Sequence, residues 1–371
     1  MHATDTAELP SIVSAALHIF VAFDWGDEID LAKAAALAPA ELKTLARRSR
    51  TPASVAYRPA PLRFRLGTVS LEFGAGAKSP IETMAECTVF DFGAVSLAMR
   101  VPLDLSPADL RQLAGSLSEP DPIVQAARGA LGPLFDRLRP AIDDASWSEL
   151  SEEYFVFQFT PHASLPNPAV LVDRHASWVA GLVRLEDETL SEAEIAEALR
   201  LHLSYTPDDL FVAEWSAAVL IDQSCDETLQ TIEFANLQLL EFRYLDARLD
   251  QQLASAYKHI HPPHRRWMPF LTRIGKRLRQ LGELRIEAHS IYERTGDALK
   301  LVGDQYLARV YQMLSTRFHL AEWQRGIERS LSVLEGAYQV LSDESDTNRS
   351  ETLEWIVILL IAFEVVMALV R

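Results

Sequence analysis

Short apolar runs alternate with helix-forming stretches over the first 222 residues, and this pattern predicts an α+β domain over residues 12–222. The runs are rich in β-branched and aromatic side chains, which are typical of strands. Five of them have the length of strands: 17–23, 64–73, 88–99, 154–160 and 210–221. We expect a mixed α/β body, and a ferredoxin-like sheet is one candidate topology.

Two helix starts are visible in this domain. Ser106 is followed by Pro107 and by Asp109, a combination that favours a capped first helical turn. Ser191 is followed three residues later by Glu194, which is the spacing of a capping box. Helices should therefore begin next to these serines.

Two long helical stretches follow the α+β domain. Residues 226–258 contain neither proline nor glycine and carry apolar side chains at mostly helical intervals, which predicts a rod of about 45–50 Å. Residues 299–341 predict a second rod. Its last part has residues spaced alternately by four and three, as in a coiled-coil seam: Leu320, Gln324, Ile327, Leu331, Leu334, Tyr338 and Leu341. Self-association through a coiled coil and an antiparallel hairpin within the chain both fit a helical domain over 226–348.

The C-terminal segment 353–371 is expected to be a membrane helix. Residues 355–370 are 16 residues with one charge, Glu364, and as a helix they extend about 24 Å against about 30 Å of hydrocarbon. Eleven Ile, Leu, Val and Phe residues contribute roughly −3 to −7 kcal/mol, against about +3 for the acid. Trp355 and Arg371 are suited to the two interfaces. The alternative is a helix buried in protein, since no side of the segment is polar.

The composition of the chain excludes several classes of protein. The chain has 371 residues, 49% of them apolar, and a formal charge of −17, which excludes a protein that coats nucleic acid over its whole surface. Its two cysteines, Cys87 and Cys225, are far apart, which argues against a disulfide-built or zinc-built fold. The N-terminus shows no targeting element, so we expect the body to stay on the cytoplasmic side, held by its C-terminal anchor.

Residues 353–366, with the Leu-Glu-Trp entry and the acid at Glu364, resemble the C-terminal signature of the "required for meiotic nuclear division" family, also catalogued as domain of unknown function 155. Residues 298–311 also look like bacterial members of that family. The resemblance implies an N-terminal α/β domain, C-terminal helices with a terminal hydrophobic helix, and a membrane-associated, oligomer-forming organiser. It supplies no catalytic residues.

A basic segment stands out in this acidic chain. Residues 1–222 carry a net charge of −15, whereas residues 258–279 contain seven cations and no acid. The cations are Lys258, Arg265, Arg266, Arg273, Lys276, Arg277 and Arg279. They could bind lipid headgroups, hold RNA phosphates, or pair with acids of the same chain.

No catalytic or metal motif is predicted. His259, His261 and His264 are separated by Pro262-Pro263, which interrupts a helix, so a turn is favoured over a metal site. Residues 74–79 lack the glycine spacing of a phosphate-binding loop. No cofactor is expected.

The predicted function is a membrane-tethered, oligomer-forming scaffold without catalytic activity. Its predicted partners are a lipid bilayer, further copies of the chain and an unidentified protein, with nucleic acid as a less favoured partner. The alternatives are a polyanion-binding adaptor acting through residues 258–279, and an enzyme with a pocket in the N-terminal domain. A deep cleft with convergent polar side chains would favour the enzyme.

Overall fold

The computed structural model describes residues 8–39, 42–43, 60–73, 80–161, 166–223, 225–260, 282, 305–337, 339 and 360–361; for residues 255–260 it describes the backbone alone. Two compact units are present. Unit 1 comprises Met1–Glu241 and Arg294–Ala321, and unit 2 comprises Phe242–Glu293 and Glu322–Arg371. The division of the chain into domains 12–222, 226–348 and 353–371 stays a prediction.

Strand β1 (Val13–Asp24) is the centre of the sheet in unit 1 because it is apolar on both sides. It pairs antiparallel with β6 (Ala94–Leu105) and with β8 (Ser151–Phe159). Successive side chains of a strand point to opposite faces, so Leu17 and its odd-numbered neighbours lie on one face, and Ala22 lies on the other. Both faces of the central strand are therefore available for packing.

Nine strands form one mixed sheet, in the order β3-β4-β5-β6-β1-β8-β11-β10-β9. Its further strands are β3 (Leu42–Lys43), β4 (Leu62–Leu71), β5 (Ile81–Val89), β9 (His202–Leu203), β10 (Leu210–Ala213) and β11 (Ala217–Ile221). Strands β8 and β11 run parallel, and the other described pairs of this sheet are antiparallel. The coarse prediction of a mixed α/β body with C-terminal helices is confirmed.

Helices cover the face of the sheet on which Leu17 lies, which we call the first face; the face with Ala22 is the second face. They are α1 (Leu31–Leu37), α2 (Pro107–Ser116), α3 (Asp121–Leu138), α4 (Pro168–Arg174), α5 (Ala176–Arg184) and α6 (Glu192–Ala198). The predicted starts are confirmed: the Ser106 side chain accepts from the Asp109 amide, and the Ser191 side chain accepts from the Glu194 amide. The apolar sides of these helices and of the sheet form one large core.

Two glycines allow the loops at one end of the sheet to approach closely. Gly93 has φ +92°, and a Cβ at this position would lie 1.7 Å from the carbonyl oxygen of Gly26. The Trp25 amide donates to the Gly93 carbonyl at 3.0 Å, and the short pair β2 (Glu28–Ile29) and β7 (Ile142–Asp143) adjoins this contact. A 3₁₀ turn, Arg139–Ala141, leads into β7. Any side chain at position 93 would separate these backbones.

Two long helices follow the sheet. Helix α7 (Asp226–Ile260) begins in unit 1 and continues in unit 2, close to the predicted 226–258 rod. Helix α8 (Gln305–Arg317) belongs to unit 1 and packs on β10. In unit 2, helix α7 buries Phe242, Leu245 and Leu249, which lie on one side of the helix.

The second predicted rod is broken. Helix α8 ends at Arg317, His319 takes a left-handed φ of 51°, and a new helix occupies residues 320–337. Leu320, Ile327 and Leu334 of the predicted seam are buried within a single copy of the chain. The coiled-coil prediction is therefore wrong, because the same apolar spacing also serves a helix that packs inside its own chain.

The predicted membrane anchor is also wrong. Throughout the described ranges, no helix combines the length and the apolar character that a membrane crossing requires. Trp355, Glu364 and Arg371 lie outside the described residues; Leu360 and Ile361 are the described part of this segment. The physical weakness of the prediction is the length of 16 residues with an internal acid, about 6 Å short of a bilayer core. The predicted localisation, at a membrane with the body on the cytoplasmic side, depended on this anchor and is therefore wrong as well.

Candidate functional site

Helix α7 is held on the second face of the sheet by a buried acid, Glu233. Its side chain is 6% exposed, accepts from the Thr88 hydroxyl of β5 at 3.1 Å, and pairs with Arg63 Nη2 of β4 at 3.3 Å. Burial raises the pKa of Glu233, and the Arg63 guanidinium opposes this shift. The carboxyl group thus connects one helix to two strands.

The next turn of α7 continues the attachment. Asn236 donates from its side-chain amide to the Glu152 carbonyl of β8 at 3.0 Å. Leu237 and Leu240 pack with Ala22 of β1 and neighbouring apolar residues. Because positions 233, 236, 237 and 240 lie on one side of a helix, a single stripe of α7 supplies both the polar and the apolar contacts.

Helices α7 and α8 are joined by a buried hydrogen bond. The Tyr311 hydroxyl of α8 donates to Gln238 Oε1 of α7, and the Tyr311 ring lies 6.1 Å from that of Phe234. Burial raises the pKa of Tyr311 above its usual value. The phenol therefore stays protonated and keeps its donor role.

The end of α8 carries a polar cluster, which we name the Arg317 clasp: Arg317, Glu214, Glu197 and Arg184. Arg317 is 9% exposed, and its Nη1 lies 2.9 Å from Glu214 Oε1 and 3.3 Å from Glu197 Oε1. Its Nη2 donates to the carbonyls of Glu197 and Ala198, at the end of α6. One guanidinium thus binds two carboxylates and caps the negative end of a helix.

Glu214 lies in the turn between β10 and β11 and is the buried acid of the clasp. Burial raises its pKa, and the charges of Arg317 and Arg184 act in the opposite direction. The backbone of the same turn is fixed by Tyr154, whose hydroxyl donates to the Glu214 and Ala217 carbonyls at 2.9 and 3.1 Å. The clasp is therefore built on a turn whose backbone is hydrogen-bonded to a buried tyrosine.

Aromatic rings close the clasp from outside. The Phe318 ring lies 5.4 Å from Tyr154 and 6.1 Å from Trp215, in edge-to-face geometry. Trp215 is 40% exposed and also contacts His319. The break after α8 is thus packed directly on the β10–β11 turn.

A shallow groove of about 500 Å³ lies between α3 and the start of β8. Its lining residues are Pro120, Asp121, Val124, Gln125, Arg128, Glu149, Ser151 and Glu153. Arg128 donates to the carbonyls of Ser148 and Glu149 and lies over the rings of Phe23 and Trp147. The guanidinium of Arg128 is therefore already used in hydrogen bonds to the backbone and in packing on aromatic rings.

Among the residues outside these clusters, His18 and Cys225 also have perturbed pKa values. Burial lowers the pKa of His18 on β1 to about 4, so this imidazole is neutral at physiological pH. Its Nε2 lies 3.4 Å from Gln158 Oε1. Burial raises the pKa of Cys225 to about 11, which leaves the thiol protonated and weakly nucleophilic.

Most of the predicted site residues lie outside the described residues. Lys258 is in the described backbone of α7, and its side chain is not described. The other predicted polyanion-binding residues lie outside the described part: Arg265, Arg266, Arg273, Lys276, Arg277 and Arg279. His261, His264 and residues 74–79 lie outside it as well. Within the residues that are described, no three His, Cys, Asp or Glu side chains are grouped in a way that could hold a metal ion.

Sequence reasoning missed Glu233, Glu214 and Arg317. Each is a charged residue within an apolar stretch, and this is the signal that could have identified it. Its partners are distant in sequence, however: Glu233 contacts Thr88, and Arg317 contacts Glu197, 145 and 120 positions away. The pairing itself could not be predicted from spacing.

Comparison with known proteins finds similarity to an archaeal protein. Uncharacterized protein MJ0711 of Methanocaldococcus jannaschii (strain ATCC 43067 / DSM 2661 / JAL-1 / JCM 10045 / NBRC 100440) is 23% identical over 241 residues, which are 64% of this chain and 72% of the relative. No solved structure matches the chain.

The resemblance to the meiotic nuclear division family is wrong. It depended on residues 298–311 and on the apolar segment after residue 353, and many unrelated helices share such a composition. The family that matches covers residues 14–227, which include β1 and the strands of the large sheet up to β11. The chain belongs to the family described as "Uncharacterized protein MJ0711, N-terminal domain".

Proposed function

We propose that the protein is a non-catalytic scaffold that associates with further copies of itself. The observation that carries this proposal is the use of the buried polar groups in unit 1. Glu233, Asn236, Gln238 and the Arg317 clasp attach α7 and α8 to the sheet and to α6. Both sheet faces are covered and the helices are tied down, as a rigid interaction platform requires.

The perturbed groups favour a structural role over a catalytic one. Strong pKa perturbation marks active sites when the group faces a cleft, but ion pairs within a core perturb pKa values as well. Glu233, Tyr154 and Cys87 are buried in the body, and the Glu233 and Tyr154 side chains hydrogen-bond to protein groups. The enzyme with a pocket in the N-terminal domain stays an alternative prediction.

The polyanion-binding adaptor also stays a prediction. Its cations are concentrated in residues 258–279 of an acidic chain, and charge asymmetry of this kind is typical of a local anion site. Binding of RNA or anionic vesicles that falls steeply with salt would support it.

A ferredoxin-like arrangement within the sheet is a further proposal. Strands β6 and β8 flank β1 on either side and are connected through α2 and α3, which is the pattern of a split β-α-β unit. A solved structure of a relative with a different connection between these strands would contradict it.

Sedimentation velocity of the full chain over a dilution series tests the scaffold proposal. The chain mass is 41.5 kDa, so self-association should give a species of at least twice this mass that dissociates on dilution. A species that remains at 41.5 kDa at every concentration would contradict the proposal.

A further inference from the structure

Among the described residues, no strand pairs with the outer edge of β4 over most of its length. The described part of β3, Leu42–Lys43, pairs with Phe64 and Arg63 of β4. Residues 65–71 have β5 on one side and, within the part of the chain that the structure describes, no strand on the other. Thr68 and Ser70 are exposed, and a Cβ built at Gly67 meets no atom within 4 Å. Open strand edges carry unpaired backbone donors and acceptors that can bind another strand.

The two faces of this edge differ in character. Arg65, Thr68 and Ser70 point to the second face of the sheet, as their register with Glu86, Met84 and Glu82 of β5 indicates. Val69 and Leu71 point to the core face under α3. The register shift between Arg65 and Gly67 leaves Leu66 as the bulged residue.

The sequence of the edge is complementary to itself about Val69. If two copies of β4 pair antiparallel with Val69 opposite Val69, then Thr68 meets Ser70 and Gly67 meets Leu71. Beyond the bulge, Arg65 meets Glu72, which directly follows the strand. In every pair, the two side chains lie on the same face of the joined sheet. Because the two copies are related by a two-fold axis, the Arg65–Glu72 pair forms twice.

Arg65 and Glu72 are available for this contact. Both side chains are exposed, and neither forms an ion pair with another residue in the described ranges. Opposite charges placed directly across two antiparallel strands stabilise the pairing, whereas like charges destabilise it. The two charges therefore favour this antiparallel register over parallel pairing, which would place like residues side by side.

We propose that the β4 edge, residues 65–72, is the surface through which two copies of the chain join antiparallel into one continuous sheet. This inference rests on the proposed self-association and names the surface that carries it. The occupant of the edge is a second copy of the chain, because the edge complements its own charges.

Charge reversal tests the register. In Arg65→Glu each reversed residue faces Glu72 of the other copy, and in Glu72→Arg each faces Arg65, so like charges meet twice. We expect the dissociation constant of the dimer to rise about tenfold or more in each variant, measured by sedimentation velocity. The double variant Arg65→Glu/Glu72→Arg restores opposite charges and should associate like the natural chain.

A mixing experiment separates this register from other contacts. When the Arg65→Glu and Glu72→Arg chains are combined, both cross-strand pairs are again of opposite charge, and a mixed dimer should form. Arg139→Glu and Glu119→Arg are the matched controls, because both residues are exposed and neither belongs to β4. These controls should leave association unchanged.

The outcomes distinguish the edge from the scaffold. If the natural chain associates but the reversed variants associate equally well, the β4 edge is overturned and the scaffold proposal stands. If the reversed variants weaken association and mixing fails to restore it, the antiparallel register is overturned. If the natural chain is monomeric and instead binds an extended peptide of another protein along β4, the scaffold proposal and the self-pairing are both overturned.

Discussion

The two faces of the nine-stranded sheet are covered by different kinds of contact. On the first face, helices α1 to α6 pack through one large apolar core. On the second face, residues 226–241 of α7 and helix α8 are attached through Glu233, Asn236, Gln238 and the Arg317 clasp, with a small apolar cluster between them. Apolar burial is strong but tolerates many arrangements, whereas buried polar pairs require defined partners.

This difference suggests a division of roles. The first face buries the larger apolar cluster, and apolar burial is the main favourable contribution to folding. The second face determines where the C-terminal helices sit, because a buried acid or guanidinium that loses its partner is costly. Substitutions in the Arg317 clasp and in the large apolar core test the two kinds of contact separately.

The largest effect is expected for Arg317→Met. This change leaves Glu214 buried with Arg184, at 3.6 Å, as its remaining ion-pair partner among the described residues, and it removes the cap of α6. It should lower the free energy of unfolding by about 3–5 kcal/mol. Denaturant unfolding measures it. Arg325→Met is the matched control, because Arg325 is 65% exposed in its pair with Glu322 and should cost less than about 0.5 kcal/mol.

A second substitution shows whether the clasp acts through its charges. Arg317→Met combined with Glu214→Gln removes both partners, and much of the lost stability should return. If the double variant is as unstable as the single one, lost packing rather than the uncompensated acid explains the effect.

For the first face, Leu97→Ala is expected to lower the free energy of unfolding by about 2–5 kcal/mol. Leu97 is fully buried in the large core, and its removal leaves a cavity. In Leu97→Ala, the amides of α8 should exchange with solvent only when the whole protein unfolds. In Arg317→Met, the same amides should exchange through local opening of α8. Equal local opening of α8 in both variants would remove the distinction between the faces.

An intermediate effect concerns the pH dependence of the second face. His18 has a pKa lowered from 6.5 to about 4, so the unfolded chain binds its proton first as the pH falls. The contribution of His18 to the free energy of unfolding is therefore fully present above pH 6.5. It is lost as the pH falls towards 4, and the loss amounts to up to about 3 kcal/mol.

His18→Gln should reduce this loss. The variant keeps a hydrogen-bonding side chain beside Gln158 and has no proton to take up. The measurement is the difference in the free energy of unfolding between variant and natural chain at several pH values from 4 to 7. A difference that does not change with pH would show that His18 is not responsible.

The smallest effect is expected for Glu233→Gln. The raised pKa of Glu233 means that the folded state binds the proton more tightly, so this group lowers stability as the pH rises above 4.5. Glutamine resembles the protonated acid and can still accept from Thr88, so the variant should be about 1 kcal/mol more stable at pH 7. Thermal unfolding at pH 5 and pH 7 checks the sign; lower stability at pH 7 would show that the Arg63 pair outweighs burial.

The fold was predictable where the information is local. The strands near residues 17–23, 64–73 and 154–160 and the caps at Ser106 and Ser191 are confirmed, because each depends on neighbouring residues. The runs 88–99 and 210–221 each contain a turn between two strands, which apolar composition conceals. The order of the nine strands depends on contacts between distant residues, and no single segment encodes it.

The candidate site was not predictable to the same degree. Glu233 and Arg317 lie in helices whose periodicity is clear, but their partners lie on strands or helices more than a hundred positions earlier. The membrane anchor and the family resemblance failed for a related reason. Both used the composition of a short apolar segment, which does not distinguish protein from lipid surroundings.

Hydrogen exchange of the full chain at two concentrations tests the central claim, self-association through the β4 edge, most directly. We expect the amides of residues 65–72 to become more protected at the higher concentration, while the amides of the buried strand β1 do not change. Protection that rises elsewhere while residues 65–72 exchange equally fast at both concentrations would contradict it.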